Sequence, residues 1–237
     1  YKTRPMRKSG DPYTSLGNSI LNGILHLYIY CKYHRCSVDE ARKTLRMLVQ
    51  GDDNVLSSTH SNTPPYLREM YNFGFEAECV DRSDYSLVEF CSMRLMACAE
   101  GYVFVPKPGK VMAKVGFLAA PPLSLDPDVI TRGTALGLMA GCESHPLFKP
   151  YLDRLLQLTK HVEAHPMRRE EWQMRLVKWT CTADSLYNIE QVYGFTPGQL
   201  EFYQRDMSVA ELGVSMNNAT YLFILDKDTD GPKIYGY

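Results

Sequence analysis

Residues Leu48 to Leu56 read LVQGDDNVL, with two adjacent aspartates and a glycine between two apolar runs. Apolar residues on either side of Gly51-Asp52-Asp53-Asn54 predict a β-hairpin whose turn projects Asp52 and Asp53 outward. Two carboxylates that close repel each other unless a cation lies between them. Hard oxygen ligands of this kind suit Mg²⁺, with Mn²⁺ as a substitute. An isolated run of this type reads equally well as a solvated turn.

A second cluster lies upstream. Residues Ser9 to Asn22 read SGDPYTSLGNSILN, the pattern S-G-x3-T-x3-N followed by an apolar stretch. Gly10 and Pro12 mark a loop, and Pro12 suits the first turn of a helix. From about Thr14 the apolar positions Leu16, Ile20, Leu21, Ile24, Leu25 and Tyr28 recur at helical spacing. Thr14, Asn18 and Asn22 stand four residues apart and so form one polar stripe along that helix. Such a stripe, starting at a Ser-Gly loop, suits hydrogen bonding to a sugar hydroxyl and a nucleic-acid backbone. A capped amphipathic helix with one wet face has the same pattern.

Taken together, S-G-x3-T-x3-N followed by Gly-Asp-Asp resembles motifs B and C of viral RNA-dependent RNA polymerases, with a flavour closest to tombus-, noda- or flavi-like replicases of positive-strand RNA viruses. The segment Tyr66 to Phe73, ending in Gly74-Phe75, stands where motif D belongs. Leu87 to Ser92 and the following Gly-Tyr-Val-Phe-Val-Pro-Lys run look like motif E, the primer-grip hairpin. The resemblance covers residues 1–118.

It implies an α+β fold: a right-hand polymerase palm, an antiparallel sheet with helices, over residues 1–118, followed by a mainly helical thumb over 119–237. It also implies nucleotidyl transfer from NTP to an RNA 3′-hydroxyl by a two-metal mechanism with Mg²⁺ or Mn²⁺. Asp52 would be the main metal ligand and Asp53 its outer or second-ion partner. Ser9, Gly10, Thr14 and Asn18 would serve the NTP ribose, with Gly10 letting the loop move. Lys107, Lys110 and Lys114, on an alternating strand-like stretch, would contact primer phosphates. The implied partners are template and primer RNA, NTPs and other viral replication proteins. The implied location is the host cytoplasm, in a membrane-associated replication complex.

Two departures qualify the resemblance. The first metal site of the family uses a motif A aspartate, from D-x4-5-D before motif B, and a basic motif F lies further upstream. Tyr1 to Lys8 contain four cations and no acid. The expectation is therefore a C-terminal polymerase part, without motif A or most of the fingers, that does not catalyse alone. Motif D also lacks the lysine many relatives place there, since no lysine occurs between Lys43 and Lys107. The alternative is a non-catalytic RNA- or protein-binding polymerase remnant.

A displaced motif A would need D-x4-5-D on a strand downstream. Tyr221 to Asp230, YLFILDKDTD, reads as an apolar strand followed by aspartates two apart, which does not give D-x4-5-D. Asp226, Asp228, Asp230 and Gly231 imitate an EF-hand start, but Tyr237 occupies the twelfth position, so a polar turn is expected there.

The elements that must hold these residues follow from the rest of the chain. Its 237 residues are 45% hydrophobic, enough for a real core. A net charge of −1 excludes nucleic-acid binding through bulk charge, so any basic footprint must be local. Seven cysteines without CxxC pairs point to reduced thiols in a cytosolic setting. Cys31, His34 and Cys36 have loosely ligand-like spacing without an evident fourth partner, and His161 and His165 do not form HExxH. No signal peptide or membrane-spanning apolar run is seen. A break near Ala119-Ala120-Pro121-Pro122 divides helix, hairpin, helix, strand and hairpin from a helical remainder. In that remainder, helices are predicted over Asp128–Ala140, Pro150–Ala164, Arg168–Cys181 and Thr196–Arg205. Trp172 and Trp179, seven apart, are expected in the core.

Overall fold

The computed structural model describes residues 13–115, 126–166, 176–209, 211 and 219–229. They mix helices with small antiparallel sheets, an α+β arrangement. The chain forms two compact units, Tyr1–Cys91 and Ser92–Tyr237. The expected division at 118/119 lies outside the described residues.

The first unit is built on one long helix, α1 (Thr14–His34), which ends where Arg35 turns left-handed at φ 52°. Ser37 then starts α2 (Val38–Thr44) with a capping box. Its hydroxyl accepts from the Glu40 N–H at 3.3 Å, and the Glu40 carboxylate accepts from the Ser37 N–H at 2.7 Å. The chain passes directly into β1 (Leu45–Gln50), which pairs antiparallel with β2 (Asp53–Ser58) from Leu45↔Ser58 to Gln50↔Asp53. A short helix α3 (Tyr66–Asn72), a 3₁₀ turn (Tyr85–Leu87) and the two-residue β3 (Glu89–Phe90) follow.

The apolar stripe of α1 behaves unlike a core face. Leu16, Ile20, Ile24 and Tyr28 are 61, 55, 59 and 51% exposed. The helix instead buries His26, Ile29 and Tyr30, with Ile29 packed among Tyr66, Met70, Leu25 and Leu56. Periodicity locates an apolar face, but tertiary contacts decide which face is covered. Of the polar stripe, Asn22 lies against the hairpin.

In the second unit, β4 (Met93–Cys98) and β5 (Gly101–Pro106) form a hairpin in register from Met93↔Pro106 to Cys98↔Gly101. The stretch read as a continuing strand is instead helix α4 (Pro108–Met112), capped by Lys107. Pro108 cannot donate to a ladder, and its fixed φ suits the first helical position, so the strand stops there. Next come α5 (Pro127–Cys142) and α6 (Phe148–Leu158), which lie against each other. The helix expected to reach Ala164 has ended by Thr159.

The helix expected over Arg168–Cys181 is irregular from residue 176 to 182, and its earlier part, with Trp172, lies outside the described residues. Trp179 is buried, its indole N–H donating to the Gly141 carbonyl at 2.8 Å. Helix α7 (Ala183–Tyr193) was not anticipated, although Thr182 and Ser185 form its capping box and Gly194 its left-handed C-cap. It answers both main-chain groups of Ala97. The Asn188 side-chain oxygen accepts from the Ala97 N–H at 2.9 Å, and the Ser185 hydroxyl donates to its carbonyl at 2.6 Å. Helix α8 (Pro197–Ser208) follows, close to the expected Thr196–Arg205.

Tyr221–Asp230 is read as a strand and a polar turn; its part through Asp228 is instead in α9 (Ala219–Asp228), and Asp230 lies outside the described residues. A short apolar run does not separate strand from helix, and here the helix is chosen by what Asp228 meets. That carboxylate is buried. It accepts from the Gly109 N–H at 2.8 Å and the Tyr193 hydroxyl at 2.8 and 3.0 Å, and lies 3.5 Å from the Arg94 guanidinium. Burial raises its pKa despite these partners.

Candidate active site

Gln50 and Asp53 close a two-residue loop, Gly51-Asp52, at the tip of the first hairpin. Gly51 has φ +65°, while Asp52 is not among the positive-φ residues, the sign pattern of a type II′ turn. A side chain at position 51 would meet nothing within 4 Å. Glycine is therefore needed there for its backbone; any other residue carries a cost of roughly 1–2 kcal/mol in that region.

A two-residue loop leaves its own main-chain groups outside the ladder, and here α1 answers three of them. The Ser19 hydroxyl accepts from the Gly51 N–H at 2.7 Å. The Asn22 amide donates to the Gly51 carbonyl at 3.2 Å and to the Asp52 carbonyl at 3.0 Å. Two of these bonds fix which end of the Asn22 amide is nitrogen, and its oxygen faces the Asn54 amide at 3.5 Å. The hydroxyl of Ser19 is itself directed by donating to the Ser15 carbonyl at 2.7 Å.

The open end of the hairpin is held by the same helix. The buried Tyr30 hydroxyl donates to Thr44 Oγ1 at 2.9 Å and meets Ser58 Oγ at 3.0 Å.

Both carboxylates are left exposed, because the helix grips main chain and not side chain. Asp53 has one close neighbour of another kind, the thiol of Cys91. Desolvation first, then the Asp53 carboxylate, push that thiol up to about 11, so it stays protonated and donates to Asp53. Cys91 adopts φ +51°, unusual for a residue with a side chain.

Of the residues expected to serve the ribose, Ser9 and Gly10 lie outside the described residues. Thr14 and Asn18 are half-buried on α1, with Asn18 one turn before Asn22 on the polar stripe. Asn22 was read as part of that stripe with RNA or sugar as its object; the structure gives it the turn instead. Ser19 was missed, although its place three residues before Asn22 puts it on a neighbouring part of the same face.

The lysines stand in the second unit. Lys107 is only 7% exposed, and its charge lies near Asp228, which leaves little of it for a phosphate. Lys110 is half-buried and donates to Ser92 Oγ at 2.9 Å, while Lys114 is exposed. They follow a helix and its exit, so the alternating strand face expected for them does not exist.

Two exposed carboxylates side by side are a hard-oxygen donor set that suits Mg²⁺. Among the described residues, no group of three or more His, Cys, Asp or Glu side chains converges on a metal position. No described helix is long and apolar enough to cross a membrane.

The family model for viral RNA-dependent RNA polymerases matches residues 1–161, more than half of the chain. The chain belongs to that family, whose activity is RNA-directed RNA synthesis. No curated protein matches it.

Proposed function

We propose that this chain carries the catalytic hairpin of a viral RNA polymerase, within a palm over residues 1–118 and ahead of a thumb over 119–237. The RNA 3′-hydroxyl attacks the α-phosphorus of an NTP. A new P–O bond forms as the α–β bridging P–O bond breaks, pyrophosphate leaves, and the hydroxyl proton is lost.

The observation that carries this reading is the pair Asp52 and Asp53, exposed at the tip of a turn whose main chain α1 holds. These carboxylates would hold Mg²⁺, which when bound supplies positive charge to the attacking and leaving oxygens. Asp52 is the principal ligand and Asp53 the secondary one. A further carboxylate comes from outside the described residues, and in this reading the chain is inactive without it. Thr14 and Asn18, with Ser9 and Gly10, read the ribose 2′-hydroxyl, and Lys110 and Lys114 approach RNA phosphate. Template, primer, NTP and other replication proteins are its partners, in the cytoplasm at a membrane-associated complex.

In the complete replicase, Asp52→Asn is expected to abolish primer extension; extension at the wild-type rate overturns the ligand assignment. Asn18→Ala is expected to lower the ratio of NTP to dNTP incorporation, and an unchanged ratio removes Asn18 from the ribose site.

A further inference from the structure

We infer that Ser19 and Asn22 are positioning residues for the metal-binding carboxylates, acting through the backbone of the turn. The inference rests on the reading of Asp52 and Asp53 given above, and adds to it what sets their direction.

A turn carrying two like charges has a reason to move. Asp52 and Asp53 are adjacent in the chain and both exposed, so their like charges repel each other through solvent. A hairpin tip can relieve that by twisting or fraying, and a loop that does so presents its acids in many directions. Here three loop groups are tied to one helix: the Gly51 N–H to Ser19, and the Gly51 and Asp52 carbonyls to Asn22. The bonds flank the Cα of Asp52 on both sides in sequence, so they fix the peptide planes from which its side chain departs.

The anchor is one continuous helix of 21 residues. Ser19 and Asn22 lie within α1, and eight residues beyond Asn22 on that helix Tyr30 ties the other end of the hairpin through Thr44 and Ser58. Tip and base are thus referred to one helix, at points about 12 Å apart along its axis. None of these bonds touches a carboxylate oxygen, so the helix leaves both acids to other partners, the Cys91 thiol at Asp53 among them.

A pre-set pair of ligands binds metal without first ordering the loop; a loosened pair must spend part of its binding energy on that ordering. The consequence is a specific kinetic signature. Ser19→Ala and Asn22→Ala, made in the complete replicase, are expected to weaken Mg²⁺ binding by about 5- to 10-fold in isothermal titration calorimetry, and to raise the Mg²⁺ concentration for half-maximal primer extension by the same factor. At saturating Mg²⁺ much of kcat returns, and KM for NTP and the NTP-to-dNTP ratio stay near wild type. Ser19→Thr keeps the hydroxyl and is expected to restore the wild-type Mg²⁺ requirement.

Should Asn22→Ala fail to fold, Asn22→Gln keeps the amide but displaces it by one methylene, and must raise the Mg²⁺ requirement likewise. A lowered melting temperature with an unchanged Mg²⁺ requirement would make the clasp purely structural and overturn the inference. Asp52→Asn in parallel separates the two levels: if it extends RNA normally, the site assignment fails, whereas its inactivity beside unaltered Ser19→Ala and Asn22→Ala removes the positioning role alone.

Discussion

Single side chains in this chain are decided by what lies against them more than by their type. Cys91 is one case. A thiol raised to about 11 by desolvation and by Asp53 is almost wholly protonated near pH 8, so it should react slowly with iodoacetamide. Asp53→Asn should speed that labelling in the folded protein, as followed by mass spectrometry; equal rates would disprove the thiol–carboxylate contact. Asp228 is a second case. Its sequence context suggested a solvated turn, yet it is enclosed by Arg94, Gly109 and Tyr193. Removing one partner of a buried pair strands the other, so Arg94→Met is expected to cost about 3–5 kcal/mol in denaturant unfolding, and Arg94→Met with Asp228→Leu much less. Equal losses in the single and double variants would mean that the charges are not coupled. Neither environment was legible from sequence, because both depend on residues far apart in the chain.

Elements were legible where local signals agree. The hairpin around Gly51 combined flanking apolar runs with a residue suited to positive φ, and α1 combined periodicity with a start after Pro12. The polar stripe from Thr14 to Asn22 was also visible, but its object was not. An asparagine three turns into a helix declares a donor and an acceptor without saying whether RNA or a backbone turn will meet them. The failures have one cause. Lys107 to Lys114, Tyr221 to Thr229 and residues 176–181 are short or mixed runs whose state is settled by neighbours, as when α9 lies so near α4 that Gly109 alone fits. A Cβ at position 109 would collide with the Ile224 carbonyl oxygen of α9. Gly109→Ala should therefore destabilise the fold by about 1–3 kcal/mol and expose residues 219–229 to protease. Wild-type resistance to cleavage there would argue against so close an approach.

Across the whole molecule, acid is the expected weakness. Burial holds His26 down to about 4 in the first unit and His145 down to about 3 in the second, each as a neutral imidazole. Below about pH 6.5 the unfolded chain binds protons that these native histidines refuse, so stability falls as pH drops toward those values. Asp228, with its carboxyl raised, runs the other way: its share is present at low pH and lost as pH rises through its folded pKa. With two deeply lowered histidines against one raised acid, thermal melts should hold steady above about pH 7 and fall as pH drops to about 4. A flat profile would mean that the imidazoles are hydrated. The clasp on the Gly51-Asp52 turn has a different reach, into how this sequence can change over generations. Because Ser19 and Asn22 hold only peptide groups, they make no demand on which side chains stand at 52 and 53. An exchange of Asp53 for asparagine would leave the three main-chain bonds to the helix in place, so a change of side chain at the tip needs no compensating change in α1.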